Sequence, residues 1–271
     1  MKKELKLTIT EENKISLQLN NPVAVYKEFY GKNIDKMPEL IASGFTPMTF
    51  ADVMKRRLEV LGGNKDVADA WWDNYFDTVN IVAYHPDGRI KIVLDSQLAK
   101  EINPKSTVRN GSIVLPNTDA YEQLAGQEFT QKEIEKYAKS ESLTLKQALS
   151  NPIWAALAND PKLHEEYAKA TFKEAKEKYG FNNNLGVYLS GFKEVPNFRL
   201  WLSSRLNYNS DADGSNSLDY NYGRLVGVAP EAHGAEKIAM PTLEQIMNIS
   251  SKYVAPVNVD ALRKDLKGIY K

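Results

Sequence analysis

Cysteine is absent from the sequence. Its absence excludes disulfide bonds, thiolate metal sites and thiol catalysis. Long apolar runs are lacking too, since no stretch approaches the roughly 20 residues that a membrane-spanning helix needs. The first residues, MKKELKLTIT, alternate apolar and polar side chains where a signal peptide would have a continuous apolar segment. We therefore expect a cytoplasmic protein that does not contact a membrane.

Neither sign of charge is in excess, because 35 Lys and Arg residues face 35 Asp and Glu residues in a chain of 271. The two signs are mixed along the chain, so no basic surface is predicted that would attract nucleic acid. The hydrophobic fraction of 42% and the charged fraction of 26% are those of an ordinary globular protein. We expect a partner that is a protein or a small molecule, and no nucleic acid.

Histidine is scarce: the chain has three, His85, His164 and His233. The sequence also lacks a Walker loop, a dinucleotide-binding glycine pattern and the G-x-S-x-G nucleophile motif. His233, in the segment PEAHGAE, is the candidate for a lone catalytic base, but no nucleophile can be paired with it from the sequence. Whether the chain is an enzyme stays open at this stage.

Alternation and turn sequences predict β-hairpins in the first part of the chain. Apolar residues alternate over 5–9 and 15–19, which predicts one hairpin. The segments VNIVAY-HPDG-RIKIVL and STVR-NG-SIVL predict further antiparallel strands, because Pro-Asp-Gly and Asn-Gly are turn sequences. Helices are predicted between these strands, including one that begins at Pro22 and ends at Gly31.

One predicted helix, KDVADAWWDNYF, places its tryptophans on an apolar side and carboxylates on the other. Four aspartates gather within about 80° on that polar side if the helical geometry continues, namely Asp66, Asp69, Asp73 and Asp77. Like charges one turn apart cost only roughly a few tenths of a kcal/mol in water. The pattern therefore favours a solvated helix face over a metal site.

From about residue 127 the pattern becomes mostly helical. Caps are predicted at Thr130 with Glu133, at Asn151-Pro152 and at Asp160-Pro161. A helix over FRLWLSSRL, a late strand in LDYNYGRLVGV and a closing helix in DALRKDLKGIY follow. The predicted fold is α+β, with a lobe of hairpins and packed helices over 1–126 and a mostly helical lobe over 127–271. Since no linker separates the lobes, we predict one compact unit.

The loop NYNSDADGSN, residues 207–216, is rich in oxygen-bearing side chains. The spacing of Asn209, Asp211, Asp213 and Ser215 resembles the first half of an EF-hand calcium loop, with Asp219 available as a late ligand. The second half departs from that motif, because Tyr220 stands where a bidentate glutamate would close the site. The same residue types also favour turns by bonding their own backbone. We expect the turn role and no cofactor, with Ca²⁺ or Mg²⁺ as the alternative.

Tyrosine and asparagine surround this loop, and that mixture is typical of adaptable recognition surfaces. The predicted ligand-binding residues are Tyr208, Asn209, Tyr220, Tyr222 and Arg224. An edge strand beside a loop would have a similar composition. We therefore predict a non-catalytic binding protein that uses residues 207–224. The alternative is a metal-assisted hydrolase built on Asp211, Asp213 and Asp219.

Overall fold

The computed structural model describes residues 5–9, 15–19, 26–190, 194–207, 209–229, 247 and 258–267. The strands are β1 (Leu5–Ile9), β2 (Ile15–Leu19), β3 (Tyr26–Tyr30), β4 (Thr46–Pro47), β5 (Phe76–Tyr84), β6 (Ile90–Val93), β7 (Val108–Arg109), β8 (Ser112–Val114), β9 (Gln127–Phe129), β10 (Val187–Tyr188), β11 (Asn197–Ser203), β12 (Ala212–Asp213) and β13 (Arg224–Val228). The helices are α1 (Asn33–Ala42), α2 (Phe50–Val60), α3 (Lys65–Trp72), α4 (Gln97–Lys100), α5 (Thr118–Glu122), α6 (Gln131–Tyr137), α7 (Leu145–Leu149), α8 (Pro152–Ala158), α9 (Pro161–Tyr179) and α10 (Val259–Lys267). Within these described residues, no helix combines the length and the apolar character needed to cross a bilayer.

The chain divides into two compact units, one of residues 1–23 with 234–271 and one of residues 24–233. In the first unit, β1 and β2 form the antiparallel hairpin that their alternation predicts, with Leu5 opposite Leu19 and Ile9 opposite Ile15. The closing helix predicted there is also confirmed, as α10.

The second unit is built on one mixed sheet of 11 strands. Its main path runs β10-β12-β11-β5-β13-β3, and the remaining strands branch from β5, β11 and β13. Most neighbours are antiparallel, whereas β13 runs parallel to β5 and β10 runs parallel to β12. Strands from both sides of residue 127 therefore alternate in a single sheet. The predicted α+β class is confirmed.

Helices cover both faces of this sheet, since successive side chains of a strand point to opposite faces. On β5, Val82 and Tyr84 pack in one core with the tryptophans of α3 and α8. Ile81 and Ala83 pack in a second core with α1, α4 and α5. Every residue of β5 and of β11 is buried, so these two strands form the middle of the unit.

Two predicted helices are wrong, and both segments are strands. Of the segment from Pro22 to Gly31, the described residues form β3, which pairs with β13 along its whole length. The segment FRLWLSSRL contributes β11. All residues of β11 are buried, and a strand buried on both faces lacks the alternation that marks a half-buried strand. Among the described residues beyond 127, a strand therefore stands where a helix was predicted.

The turn and cap predictions are mostly confirmed because they depend on neighbouring residues alone. Asn110 and Gly111 have φ values of 50° and 75° in the turn between β7 and β8. Asn151 and Asp160 cap α8 and α9, each followed by proline. The late strand is shorter than predicted: it begins at Arg224, and residues 218–223 form turns.

Candidate functional site

Four tyrosines and one arginine meet where β3, β5 and β13 begin or end, and we call them the tyrosine surface: Tyr30, Tyr75, Tyr220, Tyr222 and Arg224. Tyr30 is the last residue of β3 and Arg224 is the first of β13. The antiparallel register places these two residues opposite each other. Tyr75 lies directly before β5, and the other two tyrosines lie in the turns that lead into β13.

Arg224 holds the centre of the tyrosine surface. Its guanidinium lies 5.5 Å from the ring centroid of Tyr30 and 5.0 Å from that of Tyr75. Its Nε lies 2.7 Å from Oε1 of Glu28, and another nitrogen donates to the Asn74 side chain. Because Glu28 balances the cation, the surface presents aromatic rings and hydroxyls with little net charge.

The two loop tyrosines are the most exposed members of the surface. The exposed fractions of Tyr220 and Tyr222 are 57% and 62%, and that of Tyr30 is 50%. The rings of Tyr220 and Tyr222 pack edge to face with centroids 6.0 Å apart. The hydroxyl of Tyr75 donates to the carbonyl oxygen of Tyr222 at 2.7 Å, which ties this turn to the start of β5.

Residues 216–224, here called the tyrosine loop, are anchored by Leu218. Its side chain is fully buried in the core that includes α1. Its backbone N–H donates to the carbonyl of Gly111 at 2.9 Å, and its carbonyl accepts from Ile34 at 3.3 Å. A loop fixed in this way loses little conformational freedom when it binds a ligand.

Gly223 allows a close approach of two backbone segments next to the tyrosines. The backbone N–H of Gly31 donates to the carbonyl of Gly223 at 2.8 Å. A Cβ at position 223 would lie 2.4 Å from the Gly31 carbonyl oxygen and 2.5 Å from Oδ1 of Asn33. Since such contacts are too short for real atoms, the tyrosine loop requires glycine at this position.

Asp77 lies beneath the tyrosine loop with only 1% of its surface exposed. Its Oδ1 accepts from Nδ2 of Asn216 at 2.7 Å, and its Oδ2 accepts from the backbone N–H of Arg224 at 2.8 Å. Burial raises the pKa of the Asp77 carboxyl to about 6, against the opposing effect of the hydrogen bonds from the Arg224 N–H and the Asn216 amide. The predicted place of Asp77 on a solvated helix face is wrong, because α3 ends at Trp72 and Asp77 belongs to β5.

The structure brings together three of the predicted binding residues, Tyr220, Tyr222 and Arg224. Asn209 lies apart from them: it accepts from Ser142 at 3.2 Å through Oδ1 and from Gly186 at 3.1 Å through its carbonyl. The predicted Tyr208 and the candidate base His233 lie outside the described residues.

Sequence reasoning missed Tyr30, Tyr75 and Asp77. Both tyrosines fall in segments that their local patterns assign to helices, and they reach Arg224 only through the pairing of β3 and β5 with β13. The one local signal for this site is the pair Tyr30-Gly31. An aromatic residue next to a glycine occurs in many turns, so this signal is not specific.

The aspartates proposed as metal ligands bond within their own loop. Oδ1 of Asp213 accepts from the backbone N–H of Ser215 at 2.6 Å and from its hydroxyl at 2.7 Å. Oδ1 of Asp219 accepts from the hydroxyl of Ser217 at 2.9 Å. Within the part of the chain that the structure describes, no group of three or more His, Asp or Glu side chains is arranged to hold a metal ion.

Asp211 lies deeper than the other loop acids. Burial, and to a smaller extent the neighbouring Asp213, raise the pKa of the Asp211 carboxyl to about 7. Burial also raises the pKa of Asp213, although Ser215 and Arg199 oppose this effect. Oδ1 of Asp211 is buried and has no hydrogen-bond partner among the described residues, so this carboxyl is costly to ionise where it lies.

A groove of about 900 Å³ lies between β6, α8 and α9, and the residues that line it are not those of the tyrosine surface. Its titratable side chains have structural partners: Nε2 of His164 lies 3.1 Å from the carbonyl of Ala148, Glu165 pairs with Lys169, and Asp160 caps α9. Burial lowers the pKa of His164, so the imidazole is neutral at pH 7. These contacts give the polar groups of the groove a structural role within the helices that carry them.

The sequence matches no protein-family model and no curated protein. One solved structure, described as "Accommodation of massive sequence variation in Nanoarchaeota by the C-type lectin fold", is similar with a TM-score of 0.58. The match covers 75% of this chain and 97% of the other, at 20% sequence identity. This likeness shows the fold, which is that of C-type lectins.

Proposed function

We propose that this chain is a non-catalytic binding protein that recognises a peptide or protein ligand through the tyrosine surface. The observation that carries the proposal is the group of exposed tyrosine rings held around Arg224. Polar contacts fix this group from below, through Asp77, and from the side, through Tyr75. The site combines exposed aromatic area with a loop that is already ordered.

Tyrosine suits this task for physical reasons. It offers a large apolar face and a hydroxyl at the cost of few rotatable bonds, so ordering it on binding costs little entropy. Tyrosine and arginine are also the residues most enriched among those that dominate protein interfaces. The pairing of Arg224 with Glu28 keeps the net charge low, which favours an uncharged or mixed ligand surface over a strongly acidic one.

The fold agrees with a binding role. The similar nanoarchaeal structure is described as one in which the C-type lectin fold accommodates massive sequence variation. A fold with this property needs exposed positions that can change without disturbing the core. Here, the side chains of Tyr220 and Tyr222 project to solvent while Leu218, between the same loop ends, belongs to the core.

We further propose that binding needs no metal ion. The local hydrogen bonds of Asp213 and Asp219 support this, because Oδ1 of each aspartate already accepts from a serine of its own loop, and no three acids or histidines of the described residues are grouped to hold an ion. The same contacts speak against the alternative of a metal-assisted hydrolase, whose carboxylates would have to converge on one ion.

The proposal can be tested with peptides selected against the full chain from a phage-displayed random library, because such peptides favour surfaces that are already suited to binding. We expect the selected peptides to bind at least about tenfold more weakly to a Tyr220→Ala/Tyr222→Ala variant, since exposed aromatic anchors each contribute roughly 1–2 kcal/mol. The matched control is Tyr188→Ala, which removes a tyrosine that is 44% exposed on β10. Equal binding to the double variant and to the wild type would refute the proposed surface.

A further inference from the structure

Asp77 contacts both ends of the tyrosine loop. One oxygen bonds the side chain of Asn216, the first loop residue, and the other bonds the backbone of Arg224, the last. The pairing of β5 with β13 places Asp77 beside Leu225, so the carboxyl group is held in position by the sheet. A rigid group that connects the two ends of a loop controls the shape of everything between them.

Among the described residues, the groups that bond Asp77 are an amide and a backbone N–H, and no cationic side chain bonds it. Asn33 of α1, Asn216 of the loop and the backbone of β13 face it, while Asp213 of β12 adds a like charge. The guanidinium of Arg224 points to Glu28 and Asn74. Tyr75 also lies within the field of Asp77. Such a carboxylate is costly to bury, and fold stability alone does not account for its presence.

We infer that Asp77 is the positioning residue of the tyrosine surface: ionised Asp77 holds both ends of the tyrosine loop and keeps Tyr220 and Tyr222 in their binding arrangement. This inference rests on the proposed function, because it concerns the same surface. It adds that ligand binding depends on the proton carried by a buried residue that no ligand touches.

The sign of the effect follows from the chemistry of the two bonds. A carboxylate accepts from both donors, and bonds to an ionised acceptor are about twice as strong as bonds to a neutral one. A protonated carboxyl carries a donor of its own, so the Arg224 N–H and the Asn216 amide compete for its remaining acceptor oxygen. Protonation therefore loosens the loop, and binding weakens as the pH falls through about 6.

The same titration acts on global stability in the opposite direction. The folded pKa of Asp77 is raised above the ordinary value of 3.8, so its contribution to stability is fully present below the unfolded value and is lost as the pH rises through about 6. Acidification thus stabilises the fold through Asp77 while it releases the tyrosine loop. If Asp77 only stabilised the fold, the order of the tyrosine loop and the global stability would not change in opposite directions with pH.

The loop can be tested without any ligand, by NMR of the isotope-labelled full chain from about pH 5 to about pH 8. We expect the backbone amide of Arg224 and the side-chain amide of Asn216 to titrate together in the wild type and to be flat in Asp77→Asn. The control Asp69→Asn removes a carboxylate of α3 that pairs with Lys65 and Lys178, and it leaves the titration unchanged. An Arg224 amide that does not titrate, or that titrates equally in Asp77→Asn, overturns the inference.

The effect on binding is measured with a library-selected peptide. We expect Asp77→Asn to weaken peptide binding about tenfold at pH 7.5, the loss typical of one hydrogen bond to a charged group, while thermal stability is retained or increased. Unchanged peptide affinity in Asp77→Asn overturns the positioning role and leaves the proposed function standing. Peptides that bind the Tyr220→Ala/Tyr222→Ala variant as well as the wild type refute the proposed function itself, whatever Asp77 does in the NMR experiment.

Discussion

Tyr30 and Arg224 stand opposite each other in the pairing of β3 with β13, and the guanidinium lies 5.5 Å from the ring centroid. The pair joins residues almost 200 positions apart in the sequence, so the tyrosine surface exists only once the sheet has formed. The surface is therefore a product of sheet register: a change that shifts β3 against β13 would separate the ring from the cation.

Arg224→Lys tests whether the planar guanidinium matters beyond its charge. Lysine keeps the positive charge but cannot lie between the Tyr30 and Tyr75 rings while also bonding Glu28 and Asn74. We expect peptide binding to weaken about two- to fivefold, because an exposed cation–π contact contributes roughly 0.5–1 kcal/mol. Titration calorimetry with a selected peptide measures the change.

The control for this experiment is Arg109→Lys, at an exposed arginine that pairs with Glu194. If Arg224→Lys binds as tightly as the wild type, the guanidinium contributes nothing to the surface beyond a positive charge.

Gly223→Ala should damage both the fold and the tyrosine surface. The added methyl group would lie 2.4 Å from the Gly31 carbonyl oxygen, so one backbone segment has to move. Overpacking of this kind costs about 1–3 kcal/mol, and urea denaturation would show it as a lower midpoint at unchanged slope.

Gly63→Ala is the matched control, because a Cβ at this position would lie 3.3 Å from its nearest neighbour, the carbonyl oxygen of Val60, and φ there is not positive. A Gly223→Ala variant as stable as the Gly63→Ala variant would contradict the close approach of the backbone at Gly223 to the backbone at Gly31.

Arg57 connects α2 to the sheet through a buried guanidinium. It donates to Tyr167 and Ser203 and to the carbonyls of Trp71, Asn74 and Ser204, at 2.7 to 3.0 Å. We expect Arg57→Lys to lower the free energy of unfolding by about 3 kcal/mol or more, because lysine cannot reach these acceptors and leaves several unsatisfied. Denaturant unfolding measures the loss.

Arg56→Lys is the control. Arg56 is next to Arg57 in the sequence, but it is partly exposed and pairs with Glu59 at the surface. A loss below about 1 kcal/mol in Arg57→Lys would mean that lysine or water replaces the hydrogen bonds of the guanidinium.

The local features of this fold were predictable and the long-range ones were not. Asn110-Gly111 and the caps at Asn151 and Asp160 depend on a few neighbouring residues, and the structure confirms them. The strand β11 was missed because burial on both faces removes its alternation. Asp77 looked like a helix-face carboxylate because nothing in its local sequence shows that the chain turns into a strand after Trp72.

Calcium or magnesium at millimolar concentration should leave the thermal midpoint of the full chain unchanged. Oδ1 of Asp213 and Oδ1 of Asp219 each accept from a serine inside the loop, and among the described residues no three acids or histidines are grouped to hold an ion. A bound ion would raise stability by RT ln(1 + [L]/Kd). Scanning calorimetry with and without each metal measures it, and a rise that Asp213→Asn abolishes would restore the metal-site interpretation.

Asp211 should make the protein more stable at mildly acidic pH than at alkaline pH. Burial raises the pKa of its carboxyl from the ordinary value of 3.8 to about 7, so its contribution to stability is fully present below about 4 and is lost as the pH rises through about 7. His164 acts the other way in an overlapping range, because burial lowers the pKa of its imidazole.

The informative quantity is therefore the difference in unfolding free energy between Asp211→Asn and the wild type. We expect this difference to favour the variant increasingly from about pH 5 to about pH 8, in denaturant titrations at each pH. A difference that is constant across that range would show that Asp211 ionises as easily in the folded chain as in the unfolded one.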